Sequence, residues 1–271
     1  MPVCIAGMHR SGTSMVARIL NLLGVNIGPE DVVKRAGPDN EAGFWEDPQF
    51  VELNDELLAQ AGGAWDDPPH IDWGAARFDE LRQRASCLIE SFDPASPWGW
   101  KDPRNSLTLP FWRSLIEDLL VVVVVRNPVA VTASLQDRNG FPREKCLILW
   151  RAYNEAALAT VPWERRLVTH YDSYFADPKT ELRQAADFLG TALRVDRIPL
   201  ALDSISHSLR HHEFDLPTLS GRVDTELVEL YRRLLAETRV RRRPPAVSSA
   251  SGLSARAAAF HQPSRTGRWN V

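Results

Sequence analysis

The sequence has little cysteine and no long apolar segment. Its three cysteines, Cys4, Cys87 and Cys146, are odd in number and far apart, which fits neither a disulfide framework nor a zinc site. The longest apolar run, residues 119–125, is far shorter than the roughly 20 residues that span a bilayer. No targeting segment is visible, since an apolar strand begins at residue 2. We expect a protein of the reducing cytoplasm, with no membrane span and no bound metal.

A strong excess of either charge is also missing, because the formal net charge is −3. Neither a nucleic acid nor an anionic membrane surface is therefore an expected partner. The distribution is uneven, however: residues 239–271 carry seven arginines and no acidic residue. We predict one domain over residues 1–238 and a mostly disordered Arg/Pro/Ser-rich tail over residues 239–271.

The first 24 residues contain a strand, a glycine-bounded loop and an amphipathic helix, in that order. We call residues 7–14, with the sequence GMHRSGTS, the phosphate loop. Backbone N–H groups and the helix N-terminus of such a unit converge on an anion. An ordinary glycine-rich turn between a strand and a helix has the same local pattern, so the loop by itself is weak evidence.

The spacing in this loop narrows the kind of anion. Gly7, Gly12 and Ser14 match the pattern G-x-x-x-x-G-K-[ST], but Thr13 stands where that pattern has lysine. An enzyme that binds a nucleoside triphosphate needs that lysine on the β- and γ-phosphates. The loop therefore favours a smaller phosphate group, with Arg10 as the cation.

Strand and helix patterns alternate along the chain, which predicts an open parallel α/β sheet with helices on both faces. We predict strands at residues 2–6, 97–101, 119–125 and 166–171, and after the first helix further helices at about 48–58, 78–92, 128–139, 143–160, 178–189 and 224–238. Residues 26–44 are expected to form an ordered loop or lid. Ligands of such sheets bind beyond the carboxyl ends of the strands, where the phosphate loop, Lys101 and Arg126 are predicted to lie.

Arg126 and Ser134 are candidates for a second phosphate contact. Arg126 ends a buried strand, and Ser134 lies about two turns into the next helix. A guanidinium and a hydroxyl can bind the same phosphate group. Equally, Arg126 could pair with a carboxylate, and Ser134 could be only a small helix residue.

Taken together, the motifs resemble the sulfotransferases that use 3′-phosphoadenosine-5′-phosphosulfate (PAPS) as sulfuryl donor. The resemblance covers about residues 2–190 and rests on GMHRSGTS, KDPR at 101–104, VVVVVRNPVAVTASL and THYDSYFADPKTELRQAADFLG. It is closer to the bacterial, tyrosylprotein and glycan types than to the cytosolic small-molecule enzymes. It implies a single P-loop-type α/β domain and two donor-binding groups. Those expected at the 5′-phosphosulfate are Arg10, Ser11, Gly12, Thr13 and Ser14; those expected at the 3′-phosphate are Arg126 and Ser134.

The resemblance also implies a catalytic cation. Lys101 lies in a KDP motif like that of the tyrosylprotein type, where it would neutralise charge on the bridging oxygen as the S–O bond breaks. Arg10 is expected to add charge at the same group. From the residues alone, an ion pair between Lys101 and Asp102 is an alternative.

A base for the acceptor hydroxyl is expected as well. The tyrosylprotein and glycan types use a glutamate, and Glu46 lies in the corresponding stretch. Desolvation by Phe44 and Trp45 would raise its pKa to a useful range, whereas the nearby helix N-terminus would lower it. Asp66 and His70 are the alternatives to Glu46.

The sequence departs from the family pattern near its end. The glycine-rich RKGxxGDWK motif of the cytosolic enzymes is missing, and Arg210 or Arg222 are candidates to replace its contacts. Three late histidines lack a metal-ligand spacing: His207, His211 and His212.

We therefore predict a sulfotransferase that moves SO₃ from PAPS to an acceptor hydroxyl by in-line, metal-free transfer. The acceptor, whether a glycan, lipid, peptide or natural product, cannot be read from the sequence. A nucleotide kinase is one alternative, against which Thr13 counts. A non-catalytic nucleotide-binding module acting through the tail is another, against which the presence of Lys101, Arg126 and the loop glycines counts.

Overall fold

Short, mostly buried segments form the strands, and one of them contains a run of five valines, whose β-branched side chains favour extended backbone. The computed structural model describes residues 1–34, 37, 43–190, 193–205 and 223–239. Its strands are β1 (Pro2–Ala6), β2 (Trp98–Lys101), β3 (Leu120–Val125) and β4 (Arg166–His170). They pair in parallel in the order β2-β1-β3-β4. The predicted single α/β domain with an open parallel sheet is confirmed, whereas its proposed limit at residue 238 stays a prediction.

Helices connect the strands and cover both faces of the sheet. They are α1 (Thr13–Leu22), α2 (Glu30–Val33), α3 (Pro48–Gln60), α4 (Asp79–Glu90), α5 (Asn105–Leu115), α6 (Pro128–Asn139), α7 (Arg143–Thr160), α8 (Ser173–Ala176), α9 (Pro178–Leu189), α10 (Ile198–Asp203) and α11 (Thr225–Thr238). The side chains of Asp47, Asn127 and Asp177 cap α3, α6 and α9.

Four of the described helices were not predicted: α2, α5, α8 and α10. Helix α5 contains Pro110, which removes a backbone donor and normally argues against a helix interior. Buried Leu109, Phe111 and Trp112 on either side hold this helix in the core. The short helix α2 lies within the stretch predicted as a loop or lid, where four helical residues are too few to show a period.

The valine run of β3 explains why helices are needed on both faces. Its five valines are all buried, at 0–1% exposure. Val121, Val123 and Val125 pack into one hydrophobic cluster, and Val122 and Val124 pack into the other. Because side chains alternate between the two faces of a strand, a strand this apolar needs helices packed on both faces of the sheet.

A buried polar network joins α3 to α5 and to the segment after β2. Its centre is Asn54, which has no exposed surface. The Asn54 amide nitrogen donates to Asp102 Oδ2 at 2.8 Å and to Asn105 Oδ1 at 2.9 Å. Its oxygen accepts from Thr108 Oγ1 at 2.7 Å and from Trp112 Nε1 at 2.9 Å. Every hydrogen-bonding position of the amide is used.

The network continues to the start of the phosphate loop. Burial raises the pKa of Asp102, and the guanidinium of Arg104, whose Nη1 lies 3.0 Å from Asp102 Oδ1, opposes that shift. Ser106 Oγ accepts a hydrogen bond from the Gly7 backbone N–H at 3.0 Å. The KDPR segment and the loop are therefore held to one another by buried polar contacts.

Replacing Asn54 with Ala should lower the free energy of unfolding by about 2–4 kcal/mol, because a buried carboxylate and three other polar groups each lose a partner. Urea denaturation monitored by tryptophan fluorescence measures this. Thr108→Val removes one donor and should cost about 1 kcal/mol. Asn139→Ala, at an exposed helix end, should change little. A similar loss for N54A and N139A would mean that the network does not stabilise the fold.

Candidate active site at the carboxyl ends of the strands

The phosphate loop requires glycine at both of its ends. Gly7 has φ +147°, and a Cβ there would lie 2.4 Å from the Val124 carbonyl oxygen. Gly12 has φ +90°, and a Cβ there would lie 2.1 Å from Cδ2 of Tyr171. The loop is thus folded tightly against β3 and the end of β4, and it leads directly into α1.

Arg10 lies at the centre of this loop in a left-handed conformation, with φ 68°. That conformation costs a non-glycine residue free energy and is common where a side chain must be aimed at a ligand. Arg10 Nε donates to Ser134 Oγ at 2.8 Å, and the Arg10 carbonyl accepts from Arg126 Nη1 at 3.1 Å. Residues predicted for the two ends of the donor therefore lie in one connected group.

The hydroxyls of the loop differ in their surroundings. Ser11 is 1% exposed, and within the described part of the chain its Oγ has no hydrogen-bond partner. Thr13 is buried at the start of α1, and Ser14 Oγ lies 3.3 Å from Lys101 Nζ. A buried, unsatisfied hydroxyl is costly, so Ser11 is suited to a phosphate oxygen as its partner.

Two of the three predicted catalytic side chains, Lys101 and Glu46, are in direct contact. Lys101 Nζ lies 2.6 Å from Glu46 Oε1. The lysine side chain is 1% exposed, and the glutamate side chain is 23% exposed. The alternative partner, Asp102, bonds to Arg104 and Asn54 instead. A buried ammonium at the end of β2 is therefore neutralised by the carboxylate proposed as base.

A constrained turn places Glu46. The preceding residue, Trp45, has φ 57° and a side chain that is only 3% exposed. The Glu46 backbone N–H donates to the Val33 carbonyl at 3.0 Å, which ties the turn to α2. Asp47 Oδ1 then accepts from the Gln49 N–H at 2.9 Å and begins α3. Arg10 and Trp45 are the two non-glycine residues with positive φ among those described, and both adjoin or carry site groups.

The alternative bases, Asp66 and His70, have different surroundings from Glu46. Asp66 forms an ion pair with Lys145 at 2.7 Å, and His70 is exposed. A different histidine, His9, is buried in the phosphate loop, with its ring centroid 4.4 Å from that of Trp65. Burial, and the charges of Arg104 and Lys101 among others, lower the pKa of His9 well below its ordinary value. Its place within GMHRSGTS was the only sequence signal for it.

Tyr171 is a second site residue that the sequence did not single out. The Arg126 guanidinium lies over the Tyr171 ring, 4.4 Å from its centroid. The Tyr171 N–H donates to the Val125 carbonyl at 2.8 Å, and the Arg126 carbonyl accepts from Trp150 Nε1 at 3.0 Å. The Arg126 guanidinium thus lies between the phosphate-loop backbone on one side and the Tyr171 ring on the other. The same ring packs on Gly12.

Several residues considered from the sequence lie outside the part of the chain that the structure describes. Arg210, Arg222 and the three late histidines (His207, His211 and His212) fall outside the described ranges. Within those ranges, no group of three or more histidine, cysteine or acidic side chains could hold a metal ion. No helix there is long and apolar enough to cross a membrane.

Comparison with solved structures finds several sulfotransferases, all of low sequence identity. The sulfotransferase domain from the curacin biosynthetic pathway is 18% identical with a TM-score of 0.47, and the match covers 87% of this chain and 98% of that one. The corresponding domain of the Synechococcus PCC 7002 olefin synthase is also 18% identical, with a TM-score of 0.47 and coverage of 86% and 94%. Sulfotransferase STF1 from Mycobacterium tuberculosis H37Rv is 13% identical, with a TM-score of 0.40 and coverage of 87% and 76%.

No curated protein matches the sequence. A family model described as the sulfotransferase family matches residues 2–194. That match spans most of the chain and includes the phosphate loop, Glu46, Lys101, Arg126 and Ser134. The chain therefore belongs to the sulfotransferase family.

Proposed function

We propose that this protein transfers the sulfuryl group of PAPS to the hydroxyl of an acceptor. The contact between Lys101 and Glu46, 2.6 Å long and adjacent to Ser14 of the phosphate loop, carries the proposal. Sulfuryl transfer to an alcohol requires a base for the hydroxyl proton and a cation for the departing oxygen. Here the two groups are in contact and lie beside an anion-binding loop. The family match supports the reaction class.

The residues present suit PAPS as the donor. The backbone N–H groups of the loop, the Ser11 hydroxyl and the N-terminus of α1 provide a cradle for the 5′-phosphosulfate. Arg126 and Ser134 provide a guanidinium and a hydroxyl for the 3′-phosphate. Arg10 bonds to both of these residues, so it links the two anion sites.

In the proposed mechanism, bound PAPS supplies an electrophilic sulfuryl group whose leaving group is 3′-phosphoadenosine-5′-phosphate (PAP). Glu46 accepts the proton of the acceptor hydroxyl, whose oxygen then forms the new bond to sulfur. Lys101 stabilises the negative charge that develops on the departing oxygen. The Lys101 ammonium contacts both Ser14 and Glu46. It can therefore stabilise an anion bound in the phosphate loop while the Glu46 carboxylate accepts a proton.

The alternatives have less support in the site. A nucleotide kinase would need a cation at position 13, where Thr13 is buried at the start of α1. A binding module without catalysis has no need for a buried Lys101, since burying an ammonium costs free energy that its partner only offsets. We also propose the reducing cytoplasm as location, because the three cysteines are all free.

The donor assignment predicts which nucleotide binds. PAP should bind with an affinity that EDTA does not change, and ATP with Mg²⁺ should bind at least about tenfold more weakly, because the loop lacks the lysine for a γ-phosphate. Isothermal titration calorimetry measures both. Incubation with PAPS and a mixed pool of alcohols should then give products heavier by one SO₃ group. Tight binding of ATP–Mg²⁺ without binding of PAP would replace the sulfotransferase proposal with the kinase.

Glu46→Gln should lower turnover by about 10²–10⁴, because the amide cannot accept the proton of the acceptor. The affinity for PAP should stay unchanged. Glu52→Gln, an exposed glutamate on α3, is the matched control and should leave turnover as it is. If E46Q kept full activity, the base would have to be sought at the alternatives, Asp66 or His70.

Arg126→Ala should weaken PAP binding by roughly 2–3 kcal/mol, as expected for a lost charge-assisted contact. Adenosine 5′-phosphate (AMP), which lacks the 3′-phosphate, should bind both proteins about equally. Arg165→Ala, which removes a surface ion pair with Asp118, is the control for loss of positive charge. Equal losses for PAP and AMP would show that Arg126 supports the fold and not the 3′-phosphate.

A further inference from the structure

The last described helix, α11, lies beyond the part of the chain that matches the family model, which ends at residue 194. It nevertheless packs against β4 and α7 in the core. Its residue Tyr231 is 3% exposed. Burial, the main cause, raises the pKa of Tyr231 above its usual range, so the hydroxyl stays protonated and can hydrogen-bond.

The Tyr231 side chain contacts three residues. Its hydroxyl lies 2.8 Å from His170 Nε2, and the Asn127 side chain also hydrogen-bonds it. Its ring meets the Trp150 ring edge-on, with centroids 5.9 Å apart. His170 Nδ1 accepts the Asp172 N–H, so in the neutral ring Nε2 carries the proton and donates it to the tyrosine oxygen.

Each of these three residues is either hydrogen-bonded to a residue of the proposed 3′-phosphate site or next to one in the sequence. Asn127 directly follows Arg126, and its side chain caps α6, the helix that carries Ser134. Trp150 Nε1 donates to the Arg126 carbonyl. His170 directly precedes the tyrosine on which the Arg126 guanidinium lies. One side chain from α11 thus reaches both the strand end that carries Arg126 and the strand end that carries its aromatic support.

We propose that Tyr231 is a positioning residue for the 3′-phosphate of the donor. It fixes the carboxyl ends of β3 and β4 relative to one another, so that the Arg126 guanidinium is oriented before the nucleotide arrives. This inference rests on the proposed function, because it assumes that Arg126 binds that phosphate. It assigns a role in donor binding to a helix outside the family match.

A purely structural role for α11 makes a different prediction, and the structure offers a control for it. Glu237, on the same helix, forms a two-point ion pair with Arg166, with oxygen–nitrogen distances of 2.9 and 2.6 Å. Arg166 begins β4, whereas His170 ends it. The Arg166–Glu237 pair therefore holds the helix to the same strand, at the end away from the phosphate group.

The test compares Tyr231→Phe with Glu237→Gln. Y231F keeps the ring between Trp150 and the core but leaves Asn127 and His170 without the shared oxygen. We expect its affinity for PAP, measured by calorimetry, to fall about five- to twentyfold, with AMP affinity changed less than about twofold. E237Q should lower the melting temperature and leave the ratio of PAP to AMP affinity as in the unmodified protein.

A double variant shows whether Tyr231 acts through Arg126. If it does, adding Y231F to Arg126→Ala should cause no further loss of PAP affinity, whereas independent effects would add. Equal losses of PAP and AMP affinity in Y231F, no loss at all, or additive losses in the double variant would each overturn the inference. If the unmodified protein bound no PAP, the proposed function itself would fail, which is a separate outcome.

Discussion

The arrangement of the site depends on the burial of one charge, the ammonium of Lys101. At 1% exposure this group has lost nearly all contact with water, and an unpaired ion there would cost several kcal/mol. The carboxylate of Glu46 and the hydroxyl of Ser14 replace the lost solvation. The turn after α2, the phosphate loop and the end of β2 must therefore meet at one point, and the network around Asn54 holds the segment after β2 in place.

Backbone strain occurs at two residues that carry or adjoin site groups. Arg10 and Trp45 take left-handed conformations that cost on the order of 1–3 kcal/mol each. Contacts hold the first of them, and burial holds the second. Arg10 is bonded through its side chain and its carbonyl, and Trp45 is buried in the core immediately before Glu46. The strain thus lies where side chains have to be oriented before a ligand binds.

The site has two halves with different supports. On the side of Lys101, polar contacts from α3 and α5 dominate, with Asn54 and Asp102 at their centre. On the side of Arg126, aromatic rings dominate, because Tyr171 lies under the guanidinium and Trp150 holds its carbonyl. The phosphate loop joins the two halves, because its Arg10 contacts Ser134 and Arg126 and its Ser14 contacts Lys101. Such a division suits the proposed donor, which carries an anionic group at each end.

The sequence by itself determined the sheet, most of the helices and the residue types of the site. Local patterns carry this information: β-branched runs make strands, Asp-Pro and Asn-Pro pairs begin helices, and glycine spacing marks an anion loop. The sequence did not predict helix α5, whose Pro110 breaks the expected helical pattern. It also did not indicate the roles of Tyr171 and His9. Only the tertiary structure decided that Lys101 pairs with Glu46 and not with Asp102, because that choice depends on a contact between residues 55 positions apart. Contacts of this kind arise when strand ends converge, and no local pattern encodes which side chains will meet there.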